Sequence, residues 1–256
     1  QESMLEQSDA SQIVLWFEND LYDQTMLSQL AHLLLKKRRE RDLPLIYFMT
    51  LSHYPGVEPF RGFGQLSAEQ IKPFLHSDCW LPFETKHLQF GSRLWQAYTS
   101  ENPSALEQLV QSDANGAWAY VKDAFFFHLQ RFPSIENGLN TIEQAILEQI
   151  GHRSMSVQEL FEQVSRTFPH YGMTDIVFHM ILSDGADVQY PLWNIEENPR
   201  PTSHVHITPF GQKVLTGNED FIEANGIDRW LGGVHLQGSR PIWRWDRSST
   251  RLRGHS

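Results

Sequence analysis

Five apolar residues in a row, Ile13 to Phe17, show no polar alternation, which is how a strand buried on both faces reads. Glu18, Asn19 and Asp20 follow at once, then Asp23 and Gln24. Beyond them Leu27, Leu30, Ala31 and Leu34 fall on one helical stripe. That helix runs out in Lys36-Lys37-Arg38-Arg39, where cations offset the macrodipole. Pro44 introduces a second apolar run, Leu45–Thr50. Strand, helix, strand is a βαβ unit, and its right-handed crossover makes the two strands parallel. Glu18–Asp23 and Ser52-His53 then open on one sheet edge, the place where such sheets hold ligands.

Val57 to Gly64 reads as loop. Capping-box spacings then mark helix starts: Ser67 with Gln70, Ser104 with Glu107, Asn140 with Glu143 and Ser156 with Glu159. The patterns predict helices over 68–75, 86–99, 104–111 and 117–130, ending at Arg131-Phe132-Pro133-Ser134. Helices over 141–150, 156–166 and 174–184 come next, followed by β segments at 187–195 and 203–208, the order of a winged helix. A closing hairpin is expected over Gly233–Asp246, turning at Gln237-Gly238-Ser239. The expected division is an α/β domain with a parallel sheet flanked by helices (1–133), a mainly helical winged-helix-like domain (134–217), a C-terminal β-hairpin extension (218–246) and a disordered tail (247–256).

Composition narrows the function classes. Acidic residues outnumber basic ones by 31 to 21 among 256 residues, which disfavours nucleic acid and anionic membranes as partners. Residues 140–217 hold nine acidic and four basic groups, and Thr174–Ser183 has no lysine or arginine. A recognition helix needs such donors for phosphates and base edges, so protein contact or plain scaffolding is the better expectation for this domain. The lone cysteine, Cys79, excludes an internal disulfide and fits a reducing compartment. No apolar run reaches the length of a membrane helix, and no signal-like core opens the chain. The chain reads as cytoplasmic.

Candidate chemistry centres on the acidic turn. Glu18, Asp20 and Asp23 could hold Mg²⁺ or Mn²⁺, which prefer oxygen ligands. Alternatively one of them serves as a general base, its pKa raised by its neighbours, or simply caps the helix. Ser52 and His53 could join as ligand, nucleophile or base, although no G-x-S-x-G surrounds Ser52. Arg61, with Gly62 to Gln65 ahead of the Ser67 cap, could bind an anion. His204-x-His206 places two imidazoles on one side of a strand, too few for a zinc site. Arg229, beside Asp228 in the Gly226–Gly233 segment, could orient a ligand or pair locally.

Three motifs resemble a known family: Leu15-Trp16-Phe17-Glu18-Asn19-Asp20-Leu21-Tyr22-Asp23-Gln24; Arg131–Ser134 with Asn137-Gly138-Leu139; and Gly226–Leu236 closing on Trp243-Arg244-Trp245-Asp246. Together they look like the bacterial domain of unknown function 1835. The resemblance implies a cytosolic bacterial protein with an α/β N-terminal region and no established activity. That family usually carries histidine where this chain has Asn19, and its members begin with a further strand bearing a His/Asn-Gly-Asp-like motif, which this chain, starting at Gln1, does not show. Two functions follow as expectations. One is an enzyme binding a small polar or phosphorylated ligand through Glu18, Asp20, Asp23, Ser52, His53, Arg61, Gln65 and Arg229, with a divalent metal as the cofactor to test. The other is a non-catalytic regulatory or adaptor protein that docks a protein partner through its second domain.

Overall fold

The structure is a computed structural model that describes residues 11–40, 43–58, 60, 62–76, 79–112, 118, 121–196 and 199–254, the His170 side chain aside. It is a mixed α/β chain with small sheets, and it divides into two compact units, Gln1–Ala97 with Asp113–Val121 and Tyr98–Ser112 with Lys122–Ser256.

In the first unit, β1 (Gln12–Trp16) leads through an acidic turn into α1 (Leu21–Glu40) and back to β2 (Leu45–Met49). The strands are parallel, in a register from Gln12↔Leu45 to Trp16↔Met49. After the one-turn α2 (Ala68–Ile71), whose Ser67–Gln70 capping box is complete, β3 (Leu81–Pro82) adds to β2 in the antiparallel sense. The sheet is therefore mixed, in the order β1-β2-β3. α3 (Thr85–Tyr98) closes the core, which gathers Leu27, Ala31, Leu34, Phe48, Phe83, Leu88 and Trp118. Gly91 lets α3 approach closely, because a Cβ there would lie 2.5 Å from that of Ala31.

β1 departs from expectation. Ile46, Phe48 and Met49 of β2 are buried, whereas Ile13, Val14, Leu15 and Trp16 all stay half-exposed. The cause is position: β1 is an edge strand whose outer side pairs with no described strand, and periodicity cannot report sheet order.

The second unit begins earlier than the expected break at 133. α4 (Ser104–Gln111) and α5 (Val121–Leu129) belong to it largely through contacts with the chain's end. Glu107 accepts the Leu252 N–H at 2.7 Å, and Phe126 packs edge-on to Trp245 with centroids 5.7 Å apart. Ser104 is the first residue inside α4, whose N-cap is Pro103, so Ser104 and Glu107 form no capping box. Next come α6 (Thr141–Ile150), β4 (Met155–Ser156), α7 (Val157–Thr167), α8 (Asp175–Ala186), β5 (Trp193–Asn194) and β6 (His204–Ile207), the three strands pairing in the order β4-β6-β5. Asn140 and Glu143 complete the capping box of α6, while Ser156 caps α7 without reciprocation because Glu159 pairs with Arg153. The core of this unit packs Ile146, Leu160, Phe178, Leu182, Trp193 and Val205.

The C-terminal part differs more. After α9 (Pro209–Leu215) and α10 (Phe221–Asn225), β7 (Ile227–Leu231) and β8 (Val234–Gly238) form a hairpin. It turns at Gly232-Gly233, not at 237–239. A two-residue glycine turn matches strand twist, and a Cβ at either glycine would meet the Tyr98 or Thr99 carbonyl oxygen within 2.3 Å. Gly238, at φ +79, ends β8 instead of turning the hairpin. The expected disordered tail contains a strand: β9 (Trp243–Asp246) pairs with β10 (Arg251–Gly254). Leu252 is buried there, and Arg253 pairs with Asp246 at 2.9 Å.

Gly185 supplies a test of packing. Alanine in a helix interior is favoured over glycine by about 1 kcal/mol, but a Cβ at Gly185 would lie 2.2 Å from the fully buried Trp193 indole. Overpacking of this kind costs about 1–3 kcal/mol. Gly185→Ala is thus expected to lower the melting temperature, and an unchanged or raised value would disprove the close contact.

Candidate functional site

Parallel β1 and β2 do end together, and the backbone continues the pairing when Phe17 N–H donates to the Met49 carbonyl at 3.1 Å. Two loops leave this rim, Glu18–Asp20 and Thr50–His53. Buried Asn19 locks them to each other, donating from Nδ2 to the Leu51 carbonyl at 2.8 Å and accepting the Thr50 hydroxyl through Oδ1. Asn19 is thus a loop brace.

Each of the three carboxylates holds a backbone amide. Asp20 Oδ1 accepts the Asp23 N–H at 2.8 Å, the N-cap bond that satisfies one open donor of α1. Asp23 Oδ2 reaches back to the Glu18 N–H at 2.5 Å. Glu18 Oε1 accepts the Phe63 N–H at 2.7 Å and so pins the loop that precedes α2. Gly62 makes this approach possible: its φ is +153, and a Cβ there would overlap the Glu18 carboxylate at 2.1 Å. Buried Gln24 completes the turn, donating to the Glu18 carbonyl at 2.7 Å while its Oε1 accepts the Trp118 indole N–H at 2.8 Å.

Burial raises the pKa of Glu18, opposed by the Phe63 amide and reinforced by the charges of Asp23 and Asp20. Asp20 is likewise raised, first by burial, against the Asp23 amide and with the charge of Asp23. The rim therefore holds two half-buried carboxyl groups whose protonated forms are favoured more than in a free carboxyl.

The other expected participants do not complete this group. Ser52 and His53 are exposed, and the described hydrogen bond of His53 is to the Ser52 hydroxyl at 3.3 Å. Arg61 lies outside the described residues. Gln65 is exposed at the end of the 3-10 turn Phe63–Gln65. Arg229 belongs to the second unit, where it pairs with Glu143 at 3.1 Å and Asp184 at 3.2 Å. Glu143 is 5% exposed and also receives the Asn140 amide, so Arg229 is committed to holding α6 and α8 against β7. Among the described residues, no three His, Cys, Asp or Glu side chains are placed to hold a metal ion. His204 and His206 sit side by side, with ring centroids 6.2 Å apart, and gain no third ligand of that kind among the described residues.

Two features lay beyond sequence reasoning. One is a buried polar knot in the second unit built on Ser134, Asn137, Asp220 and Arg244. Ser134, Asn137 and Arg244 form part of the second and third motifs above, whose density was its only signal, while Asp220 lies outside them. The other is the outward face of α8, where Ile176 (69% exposed), Val177 (36%) and Met180 (62%) lie at helical spacing. Lack of cations in 174–183 hinted at it.

Comparison with protein-family models, with curated proteins and with solved structures finds no significant match. The resemblance to domain of unknown function 1835 therefore rests on the motifs quoted above.

The acidic turn gives a charge test. A carboxyl whose pKa is higher folded than unfolded loses stability as pH rises through that interval, so at neutral pH the charged form of Asp20 is a net cost. Asp20→Asn keeps the cap acceptor and removes the charge. Its melting temperature is expected to equal or exceed the parent's at neutral pH, any advantage fading as pH falls into the carboxylate range. Asp20→Ala loses the cap and is expected to cost about 1 kcal/mol. An Asn variant as damaged as the Ala variant at pH 7 would refute the assignment.

Proposed function

We propose that this chain is a non-catalytic adaptor or regulatory protein whose second unit docks a protein partner through α8. The observation that carries the reading is the apolar outward face of that helix, Ile176, Val177 and Met180. The element order α6, β4, α7, α8, β5, β6, with the small sheet β4-β6-β5, supports a winged-helix-like domain, in which α8 takes the position of the recognition helix. A nucleic-acid reader would present arginine and lysine there; this helix presents aliphatic side chains, which favour an apolar surface on another protein. Use of the rim carboxylates as backbone ligands points the same way. A cytoplasmic bacterial setting remains part of the proposal; among the described residues, no helix is long and apolar enough to cross a membrane.

A photo-crosslinking residue placed at Gln189, outside the apolar face, is expected to capture a discrete protein partner in cells. Ile176→Asp with Met180→Asp should abolish the capture and leave the melting temperature unchanged, since both side chains are exposed. Tight, specific DNA binding at moderate salt would overturn the proposal.

The raised carboxyls of Glu18 and Asp20 at a shared strand-end rim favour a second reading, an enzyme or ligand-binding domain for a small polar or phosphorylated molecule. A thermal-shift screen with divalent metals, nucleotides and sugar phosphates tests it. Under that reading a stabilising ligand appears and its effect disappears in Glu18→Gln; no response, or a response the variant keeps, rejects the rim as its site.

A further inference from the structure

The edge strand of the first unit has an unusual setting. β1 is apolar from Ile13 to Trp16 but nowhere buried, and an apolar groove of about 330 Å³ is lined by its residues, with Ile46 of β2 beside them. The far wall of the groove is α1, which contributes Met26, Leu30 and Leu33. These recur at i, i+4 and i+7, a second stripe beside the one that buries Leu27, Ala31 and Leu34 in the core. The helix is thus apolar over a wider arc than the sheet beneath it uses. An apolar edge that pairs with no described strand is a template for another strand.

We propose that a second copy of this chain covers the groove, joining β1 to β1 as an antiparallel pair about a two-fold axis and packing α1 against α1. The pairing is self-complementary, as a two-fold interface requires. Strands lie roughly 4.8 Å apart, and a crossover helix rests over the gap beside its strand, so the two helix axes come roughly 10 Å apart, a normal packing distance. Heights agree as well. The chain climbs roughly 13 Å from Val14 to Glu18, and α1 descends roughly as far from Leu21 to Leu30. An axis level with Val14 therefore passes level with Leu30, the middle of the second stripe.

Charge selects a second copy over an unrelated extended peptide. α1 starts beside Glu18, Asp20 and Asp23 and ends in Lys37, Arg38 and Arg39. Antiparallel helices place the basic end of one copy beside the acidic turn of the other, at both ends of the interface, and their dipoles oppose. A strand from another protein would satisfy the open edge but leave that match unused.

Sedimentation velocity on the full chain, over a concentration series at low and high salt, tests the proposal. A reversible dimer is expected that weakens as salt rises. Met26→Glu, at a position 37% exposed and so tolerant in the monomer, should weaken the dimer at least about tenfold with an unchanged circular dichroism spectrum. Val14→Cys in a Cys79→Ser background should crosslink to itself under mild oxidation, because Val14 lies on the axis. A monomer at every concentration overturns the proposal. So does a dimer indifferent to Met26→Glu, or one abolished by Met180→Glu on α8.

Discussion

The buried pair between Arg244 and Asp220 is the constraint on which the second unit depends. The guanidinium reaches Asp220 at 2.5 Å and the Ser134 carbonyl at 3.1 Å, with Arg244 and Asp220 only 8% and 17% exposed at their side chains. Around it Asn137 accepts the Ser134 hydroxyl and donates to Gln144 and to the Val214 carbonyl. Gly138, at φ +77, brings the loop so near Asp220 that a Cβ would lie 2.5 Å from its carboxylate. Trp245 N–H donates to the Pro133 carbonyl and its own carbonyl receives Ile135 N–H. One ion pair thus ties β9, the start of α10 and the loop before α6. Breaking such a pair leaves a buried charge without its partner, a cost of about 3–5 kcal/mol, which is a large share of a domain's net stability.

The first unit uses polar chemistry in the same way on a smaller scale. A strand end in an α/β sheet leaves loop amides without ladder partners, and each must find an acceptor. Here Asp20, Asp23 and Glu18 supply three acceptors in turn, and Asn19 joins the two loops. The carboxylates that suggested metal ligands thus also brace the local fold. Clustering does leave a trace, since burial and mutual repulsion raise the Glu18 and Asp20 carboxyls. That trace sustains the second functional reading.

Local features were legible in the sequence. The parallel β1–β2 pair followed from two apolar runs and a helical stripe between them, and the α6 and α2 starts from their capping boxes. Features decided by distant partners were not. β1 reads as a central strand because its residues are apolar, and only sheet order reveals that it lies at an edge. Glu107 has capping-box spacing, yet Leu252, 145 residues away, claims its carboxylate. β10 has arginine at two of its four positions and one apolar residue, Leu252, and was invisible until paired with β9. Arg229 on β7, which could have oriented a ligand or paired locally, pairs instead with Glu143 on α6. The Gly232-Gly233 turn, by contrast, was readable: two glycines between apolar segments outrank a Gln-Gly-Ser turn on twist alone.

The molecule distributes its chemistry unevenly. Its candidate acids sit half-buried and bonded to backbone amides, its best-placed arginines are sealed in ion pairs, and among the described residues no cluster suits a metal. Apolar side chains, meanwhile, meet solvent on the α8 face and along the β1–α1 groove. Exposed aliphatic surface is unfavourable by roughly 25 cal/mol for each Å² that burial would remove, a standing drive toward association. Those apolar surfaces are what the proposed docking partner and the proposed second copy would each bury.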